Sequence, residues 1–227
     1  MGDAVNWAAR GVLGPVVLQG RYVRLEPLVA GHAVDLFEAA QVADAAERFR
    51  WLPEVPPRDP GDMQDWVAQK ALSADPLFFA VVDQATGRAL GRQALMRNDA
   101  ANGVIEIGNI YWGPGMARSA KATEALFLFM QHAFDGLGYR RFEWKCNDEN
   151  GPSKVAALRF GFAAEGVFRQ HMIVKGSSRD TAWFAMIDKD WPRLKAGYAA
   201  WLDPANFAAD GGQLRTLQDC CGGPTAR

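Results

Sequence analysis

Two basic residues stand at the start of a predicted helix, where acidic residues are more usual. Arg118 and Lys121 follow a loop with two glycines and a proline at positions 113–115. The unpaired N–H groups and the dipole of a helix make its start locally positive, so each cation there costs about 0.3–1 kcal/mol unless an anion lies nearby. Phosphate is the usual anion at such a place. The pattern therefore indicates a phosphate-binding site at residues 118–123.

The segments on either side of this loop would give the site its shape. Residues 103–112 alternate β-branched or aromatic residues with small and polar ones, which predicts a strand. From about Arg118 the apolar period changes from 2 to 3.6, which predicts an amphipathic helix of about four turns. Many α/β proteins have a strand, a glycine loop and a helix in this order without any ligand. The geometry alone therefore leaves both interpretations open.

The rest of the chain alternates between strand and helix patterns. Strands are predicted at 16–28 (one strand or a hairpin), 77–83, 89–97, 140–147, 167–175 and 181–187, and helices at 30–49, 62–72 and 152–160. Residues 51–60 carry four prolines, which predicts an extended loop. This order predicts a mixed α/β domain at 15–191, with helices inserted into a largely antiparallel sheet. We expect a leader at 1–14 and a C-terminal extension of uncertain order at 192–227.

The composition is that of an ordinary globular protein, with 49% hydrophobic residues, 22% charged residues and a formal net charge of −1. The basic residues are scattered rather than clustered, so we expect no nucleic-acid partner. No apolar run is long enough to span a bilayer and no signal peptide precedes the domain, so we expect no membrane partner. The cysteines at 146, 220 and 221 form no disulfide framework, which favours reduced thiols in the cytoplasm. The histidines lie far apart, so no metal site is expected.

Short motifs mark the boundaries of these elements in a characteristic order. They are GRYVRLEPL at 20–28, IEIG at 105–108, ATEA at 122–125, NGPS at 150–153, GF at 161–162 and EG at 165–166. In order and spacing they resemble the GNAT superfamily of acyl-CoA-dependent N-acyltransferases, and specifically the branch that acetylates the N-termini of ribosomal proteins. The resemblance covers about residues 15–191.

This resemblance implies the GNAT fold, an α/β fold that holds acyl-CoA at a strand–loop–helix unit beside splayed central strands. It implies transfer of an acyl group, most simply acetyl, from acyl-CoA to a primary amine that attacks the thioester directly. Acetyl-CoA or another acyl-CoA is then the co-substrate, and no metal takes part. The pyrophosphate would bind at Arg118, Ser119, Ala120, Lys121, Ala122 and Thr123, and the pantetheine arm would lie beside Asn150 and Ser153.

One motif departs from the family pattern. The pyrophosphate loop usually reads Arg/Gln-x-x-Gly-x-Gly/Ala, and the matching positions here are 117–122. The leading cation lies one place later, at Arg118, and Ala120 stands where the first glycine would be. Alanine keeps its backbone N–H for a phosphate, but it loses part of the close approach that glycine permits. The resemblance therefore implies weaker or altered CoA binding.

Glu106 and Ser153 are the candidate catalytic residues under this resemblance. Glu106 is a carboxylate inside an otherwise apolar strand. It would act as the base for the amine, directly or through water, or it is a solvent-facing or ion-paired strand residue. Ser153 would donate a proton to the leaving thiolate, or it is a capping or surface serine. Asn150 suits a pantetheine contact and the helix N-cap at once.

Three further side chains have simpler interpretations. Glu165 could aim a second carboxylate at the acceptor, but a turn carboxylate explains it as well. His171 alternates with Gln170 on a predicted hairpin strand, and a strand residue without a catalytic role is the favoured interpretation. Cys146 has no histidine near it in the sequence, and direct transfer needs no covalent enzyme intermediate.

The sequence leaves the donor and the acceptor open. A small-molecule amine and a peptide N-terminus both fit, and the resemblance allows a homodimer. Arg118, Lys121 or an arginine on the acceptor side would favour a succinyl-type donor by pairing with its free carboxylate. The other alternative is a non-catalytic acyl-CoA-binding regulatory domain, which the altered loop favours and the retained catalytic candidates disfavour.

Overall fold

The computed structural model describes residues 7–222 of the 227-residue chain, and within them one sheet of eight strands forms the centre of the molecule. The strands are β1 (Leu18–Gln19), β2 (Val23–Pro27), β3 (Leu77–Asp83), β4 (Ala89–Asp99), β5 (Val104–Trp112), β6 (Arg141–Asn147), β7 (Ala163–Val174) and β8 (Ser177–Ile187). Their order in the sheet is β1-β2-β3-β4-β5-β6-β8-β7. All neighbours are antiparallel except β5 and β6, which are parallel. The predicted mixed, largely antiparallel sheet is confirmed.

Helices cover both faces of this sheet. They are α1 (Ala33–Ala40), α2 (Ala45–Arg48), α3 (Pro60–Ala71), α4 (Ala120–Gln131, continued by a π-helical turn at His132–Gly136), α5 (Gly151–Arg159), α6 (Trp191–Trp201) and α7 (Leu217–Cys220), with 3₁₀ turns at Ala30–His32 and Pro204–Asn206. Local sequence explains how some of them begin. Asp59 accepts a hydrogen bond from the backbone N–H of Asp62, and Pro60 occupies the first position of α3.

Two cores lie on opposite faces of the sheet, because neighbouring residues of a strand point to opposite sides. On one face, Phe129 of α4 packs with Ile105 and Ile107 of β5 in the larger cluster. On the other face, the smaller cluster joins Leu36 of α1 and Val67 of α3 to the sheet. Each face therefore has its own helical layer, and β5 lies between the two.

The predicted helix at 30–49 is wrong as a single helix. The chain leaves helical geometry at Gln41 and resumes it in α2. Ala40 and Phe49 are both buried in the smaller core, at 1% and 3% exposure. In one continuous helix, residues nine positions apart would point about 180° away from each other. The break lets both side chains face the same core.

The expectation of uncertain order after residue 191 is also wrong for residues 192–222. Trp191, Leu194, Tyr198 and Trp201 are buried on α6 and belong to the larger core. Their spacing of three, four and three residues is a helical period, so the signal was present in the sequence. Because α6 is part of the core, the predicted domain boundary at 191 does not separate an independent extension from the domain.

The predicted leader at 1–14 contacts the domain over its described part. The Trp7 indole donates a hydrogen bond to the carbonyl of Gly138 at 2.7 Å, and the Arg10 backbone N–H donates to Leu137 at 2.9 Å. Residues 1–6 of that leader, and residues 223–227 at the other end, lie outside the described residues. Within residues 7–222, no helix has the length and apolar character that crossing a membrane requires.

Candidate active site

The two parallel strands at the centre of the sheet part from each other halfway along. β5 and β6 pair from Val104 with Arg141 to Ile107 with Trp144. Beyond that pair a cavity of about 790 Å³ opens, with residues 106–110 of β5 and 144–147 of β6 in its lining. Side chains and backbone groups from both strands therefore face a common opening.

A bulge in β5 faces this opening. The pairing of β4 with β5 shifts register between Arg92 and Ala94, and Asn109 has a left-handed φ of 51°. Among the residues that the structure describes, Asn109 and Ile110 pair with neither adjacent strand. Backbone N–H groups released in this way can stabilise a developing oxyanion.

A buried arginine on the neighbouring strand β4 supports the bulge. Arg92 donates a hydrogen bond to the carbonyl of Asn109 at 2.6 Å, and its burial lowers its pKa to about 9. Its guanidinium lies 4.2 Å from the centre of the Trp66 ring and pairs with Glu54 of the proline-rich loop. The loop that follows α2 is thereby linked to the bulge.

Glu106 faces the cavity from β5 and is ion-paired on two sides. The Arg97 guanidinium donates to its two oxygens at 3.0 and 2.8 Å, and the Lys145 ammonium lies 2.9 Å from one of them. The side chains of Glu106 and Lys145 are only 4% and 5% exposed. Glu106 is therefore ion-paired rather than solvent-facing, and it lines the cavity at the same time.

A chain of charges extends from this pair along β6. The Lys145 ammonium also lies 2.6 Å from Glu143, and Glu143 accepts from Arg141 at 2.6 Å. Arg141 donates in turn to Glu165 of β7, and this hydrogen bond holds the pKa of Glu165 below its ordinary value. Glu165 lies outside the cavity lining, as a strand residue rather than a turn carboxylate.

Ser153 and Asn150 lie together at the start of α5. The Asn150 side chain accepts from the Ser153 backbone N–H at 3.1 Å, so the predicted N-cap is confirmed. The Ser153 hydroxyl accepts from the Trp144 indole at 2.9 Å. Beside it, burial raises the pKa of the Cys146 thiol more than the Ser153 hydrogen bond lowers it, which keeps the thiol protonated at neutral pH.

The loop that enters α4 is tightly packed, and the N-cap of α4 engages one of the backbone N–H groups that could otherwise bind a phosphate. A Cβ on Gly113 would lie 2.6 Å from the carbonyl oxygen of Leu90, which explains a glycine at this position. The Ser119 hydroxyl accepts from the Lys121 backbone N–H at 3.2 Å. The Lys121 ammonium lies 3.1 Å from buried Asp83, so its charge is directed at the sheet rather than at the loop.

Free donors remain at the same helix start. Within residues 7–222, the backbone N–H groups of Arg118, Ala120 and Ala122 have no acceptor. Arg118 is exposed, lines the cavity and has a left-handed φ of 60°. That conformation costs a non-glycine residue about 1–2 kcal/mol, and such strain is concentrated at ligand sites. These groups fit a phosphate.

A third cation near this helix start was missed in the sequence. Arg159 of α5 donates to the Thr123 hydroxyl at 3.3 Å, and its guanidinium lies 5.3 Å from the Trp201 ring centre. Burial lowers the pKa of Arg159. The sequence carried no signal for this contact, because it depends on how α4, α5 and α6 pack.

The structure brings some predicted site residues together and separates others. One cavity is lined by four of the predicted site residues, Glu106, Arg118, Asn150 and Ser153. The proline-rich loop and the last hairpin also contribute to its lining, with Trp51, Leu52, Pro53, His171, Met172, Arg179 and Thr181. Ser119, Ala120, Lys121, Ala122 and Thr123 lie at the adjoining helix start but outside the lining. The cations that pair with Glu106 were not predicted, because only the strand register shows which charges meet.

Known proteins with this sequence pattern and this fold identify the family. The sequence profile of the Acetyltransferase (GNAT) domain matches residues 23–163. The chain belongs to the GNAT acetyltransferase family. The family resemblance drawn from the motifs is thereby confirmed, and so is the GNAT fold.

Relatives with solved structures agree with this assignment. A GCN5-related N-acetyltransferase from Brucella melitensis is 57% identical, with a TM-score of 0.93 over 96% of this chain and 99% of that one. A GNAT-family protein from Chromobacterium violaceum is 36% identical, with a TM-score of 0.76 over 85% and 96%. The N-acetyltransferase p20 of Bacillus licheniformis, whose function is uncharacterised, is 26% identical over 134 residues, which are 57% of this chain and 72% of the relative.

GNAT acetyltransferases use acetyl-CoA as co-substrate. Residues 7–222 contain no cluster of three or more His, Cys, Asp or Glu side chains that could hold a metal ion. The cysteines at 146, 220 and 221 are all free thiols.

Proposed function

We propose that this protein transfers an acetyl group from acetyl-CoA to a primary amine, by direct attack of the amine on the thioester. One observation carries the proposal: Glu106 and Ser153 line the same opening between the parted strands β5 and β6. A carboxylate on one wall and a hydroxyl on the other can serve the two proton transfers of this reaction. The free thiols suit a reducing compartment, and we expect the protein in the cytoplasm.

The start of α4 would hold the pyrophosphate of CoA. The Arg118 side chain and the free N–H groups of Ala120 and Ala122 supply donors there. Asn150 and Ser153 would lie beside the pantetheine arm. Because the Lys121 ammonium is paired with Asp83, we expect Lys121 to contribute little charge to the phosphates.

Glu106 would help the acceptor amine lose its proton. At pH 7, deprotonation costs about 1.1 kcal/mol for an α-amine with a pKa near 7.8, and about 4.6 kcal/mol for a lysine side chain. An α-amine therefore needs only a modest base. Both Glu106 oxygens are already bound by cations, which favours a route through a water that the carboxylate orients.

Ser153 would serve the leaving thiolate. Its oxygen accepts a hydrogen bond from the Trp144 indole, and its own proton would turn from the Cys146 sulfur to the leaving thiolate. Cys146 is not proposed as a nucleophile, since burial raises the pKa of its thiol and no base lies against it among the described residues. A backbone N–H group of the bulge at Asn109 and Ile110, which are in register with neither neighbouring strand, would stabilise the oxyanion that forms on the thioester carbonyl.

A second candidate is a non-catalytic acyl-CoA-binding domain, which the alanine in the phosphate loop and the fully paired Glu106 favour. Free-thiol release from acetyl-CoA, measured with peptides and small amines, separates the two. We expect thiol release with at least one class of amine. Binding of acetyl-CoA without release for any amine would favour the binding domain. Gel filtration of the same protein would test whether it forms a homodimer.

The role of Glu106 is tested by Glu106→Gln, which keeps the shape and removes the base. Turnover should fall by about 10²–10⁴-fold. The loss should shrink as pH rises, because more of the acceptor is then neutral. Glu38→Gln is the matched control, since Glu38 is an exposed ion-paired carboxylate on α1 outside the cavity. A deficit that is constant with pH would assign Glu106 to positioning.

A further inference from the structure

Arg179 of β8 is a cavity-lining cation without a partner. It lines the same opening as Glu106, and among the described residues its Nε is buried with no hydrogen-bond acceptor. Burial lowers the pKa of Arg179, which is the direction expected of a guanidinium that has lost water without gaining a carboxylate. Buried polar groups are nearly always satisfied, so the unpaired Nε of this half-buried side chain needs an explanation.

The other cations at this end of the cavity are already neutralised. Arg97 and Lys145 both pair with Glu106, and Arg48 pairs with Asp44 at 2.9 Å. Arg118, the fifth basic side chain of the lining, would face the phosphates of CoA. Among the described residues, Arg179 is therefore the lining cation left without a counter-charge, and it suits a substrate that also carries an anion.

The position of Arg179 places this anion near the reacting groups rather than near the phosphates. In the cavity lining it joins Cys146 and Glu106 of the parting strands β6 and β5, and Arg97 of β4, which pairs with Glu106. The candidate phosphate site at Arg118 lies on the loop before α4, a different element. Because the phosphates of CoA are assigned to that loop, we assign this second anion to the acyl group or to the acceptor.

Further donors stand on the same face of β8. Thr181 follows Arg179 by two residues, so both side chains point to one side of the strand. The Thr181 hydroxyl lies 3.0 Å from the Nδ1 of His171, and both residues line the cavity. A planar guanidinium with a hydroxyl beside it matches a carboxylate, which an arginine binds through two parallel hydrogen bonds.

We propose that Arg179 binds a carboxylate of the substrate beside the reacting centre. This proposal deepens the acyl-transfer function and rests on it. The carboxylate belongs either to a dicarboxylic acyl group such as succinyl, or to an acceptor of the amino-acid type. An acetyl group, or the carboxamide of an amino acid, lacks the carboxylate that Arg179 would recognise.

Two paired comparisons test the proposal. Calorimetry compares succinyl-CoA with acetyl-CoA, and steady-state kinetics compare amino acids with their carboxamides as acceptors. We expect the carboxylated partner of one pair to be preferred by about 10- to 100-fold, as a charge-assisted pair predicts. Arg179→Met should reduce that preference to within about threefold, while Arg179→Lys should retain part of it.

Arg169→Met is the matched control, because Arg169 is exposed on the neighbouring strand β7 and does not line this cavity. It should keep the preference of the wild-type protein. Thermal melts of all variants check that they fold, and Arg179→Gln, which also removes the charge, replaces Arg179→Met if the latter unfolds.

The outcomes separate this proposal from the proposed function. A preference for succinyl-CoA that depends on Arg179, without turnover for any amine, would support the subsite and refute acyl transfer. If the enzyme turns over but binds both acyl-CoAs equally well and uses both kinds of acceptor equally well, the subsite is refuted and acyl transfer is not. A preference that survives Arg179→Met would also refute it, as would the absence of discrimination in both comparisons.

Discussion

A buried carboxylate on α4 holds the β1–β2 turn in place, and its removal should have a large effect on stability. Glu124 is 4% exposed, and its carboxylate accepts three backbone hydrogen bonds. The donors are Arg21 at 2.8 Å on one oxygen, and Tyr22 at 2.6 Å and Val23 at 2.8 Å on the other. A Cβ on Gly20 would lie 2.5 Å from this carboxyl group, so the turn closes tightly around it.

The magnitude follows from these contacts. Glu124→Gln keeps one acceptor oxygen and turns the other into a donor that faces the N–H of Arg21. One charge-assisted bond, which contributes about 1.5 kcal/mol at the low end, is then lost. The bonds from Tyr22 and Val23 change from charged to neutral acceptors and weaken by about 1 kcal/mol each. We expect the free energy of unfolding to fall by about 3–4 kcal/mol.

Urea unfolding at pH 7, followed by far-UV circular dichroism, measures this change. Glu149→Gln is the control, because Glu149 is exposed and its side chain makes no hydrogen bond within residues 7–222. It should change the free energy of unfolding by less than about 0.5 kcal/mol. A loss of less than 1 kcal/mol for Glu124→Gln would refute the reasoning, since the three bonds would then contribute no more than a surface contact.

The remaining predictions concern the candidate site and its support. Arg118→Ala should weaken CoA binding by about 1–2 kcal/mol, and an unchanged Kd would move the phosphate site elsewhere. Ser153→Ala should lower kcat with little change in the Kd of acetyl-CoA, because its contact with sulfur strengthens only as charge develops; wild-type turnover would leave Ser153 as a residue of the helix start. Asn150→Ala should lower the free energy of unfolding by about 0.5–2 kcal/mol through loss of the N-cap, and an unchanged melt would contradict this. Burial alone would raise the pKa of Asp83, but hydrogen bonds led by that of Lys121 hold it below its ordinary value. Asp83→Asn should therefore lower the free energy of unfolding at pH 7, and this difference should disappear as pH falls through the lowered pKa. A difference that stays constant from pH 7 to pH 2 would exclude the linkage.

Features that depend on neighbouring residues could be read from the sequence. The strand at 103–112, the loop at 113–115 and the helix after Ser119 follow from side-chain period and from glycine and proline, which act over a few residues. The same holds for the N-cap at Asn150. The family motifs are also local strings, although two of them, GRYVRLEPL and ATEA, meet in space at Glu124.

The tertiary structure alone decided which charges meet. Glu106, Arg97 and Lys145 lie on three different strands, and a shift of one residue in any of these registers would turn a side chain to the other face of the sheet. The sequence pattern also could not show that the Lys121 ammonium pairs with Asp83, or that the Nε of Arg179 has no acceptor among residues 7–222. The sequence by itself determined the family, the order of elements and the residue types available for catalysis. Only the packing of distant segments determined which of those residues are paired and which are free to bind a substrate, because Coulomb and hydrogen-bond energies depend on distances that no local pattern sets.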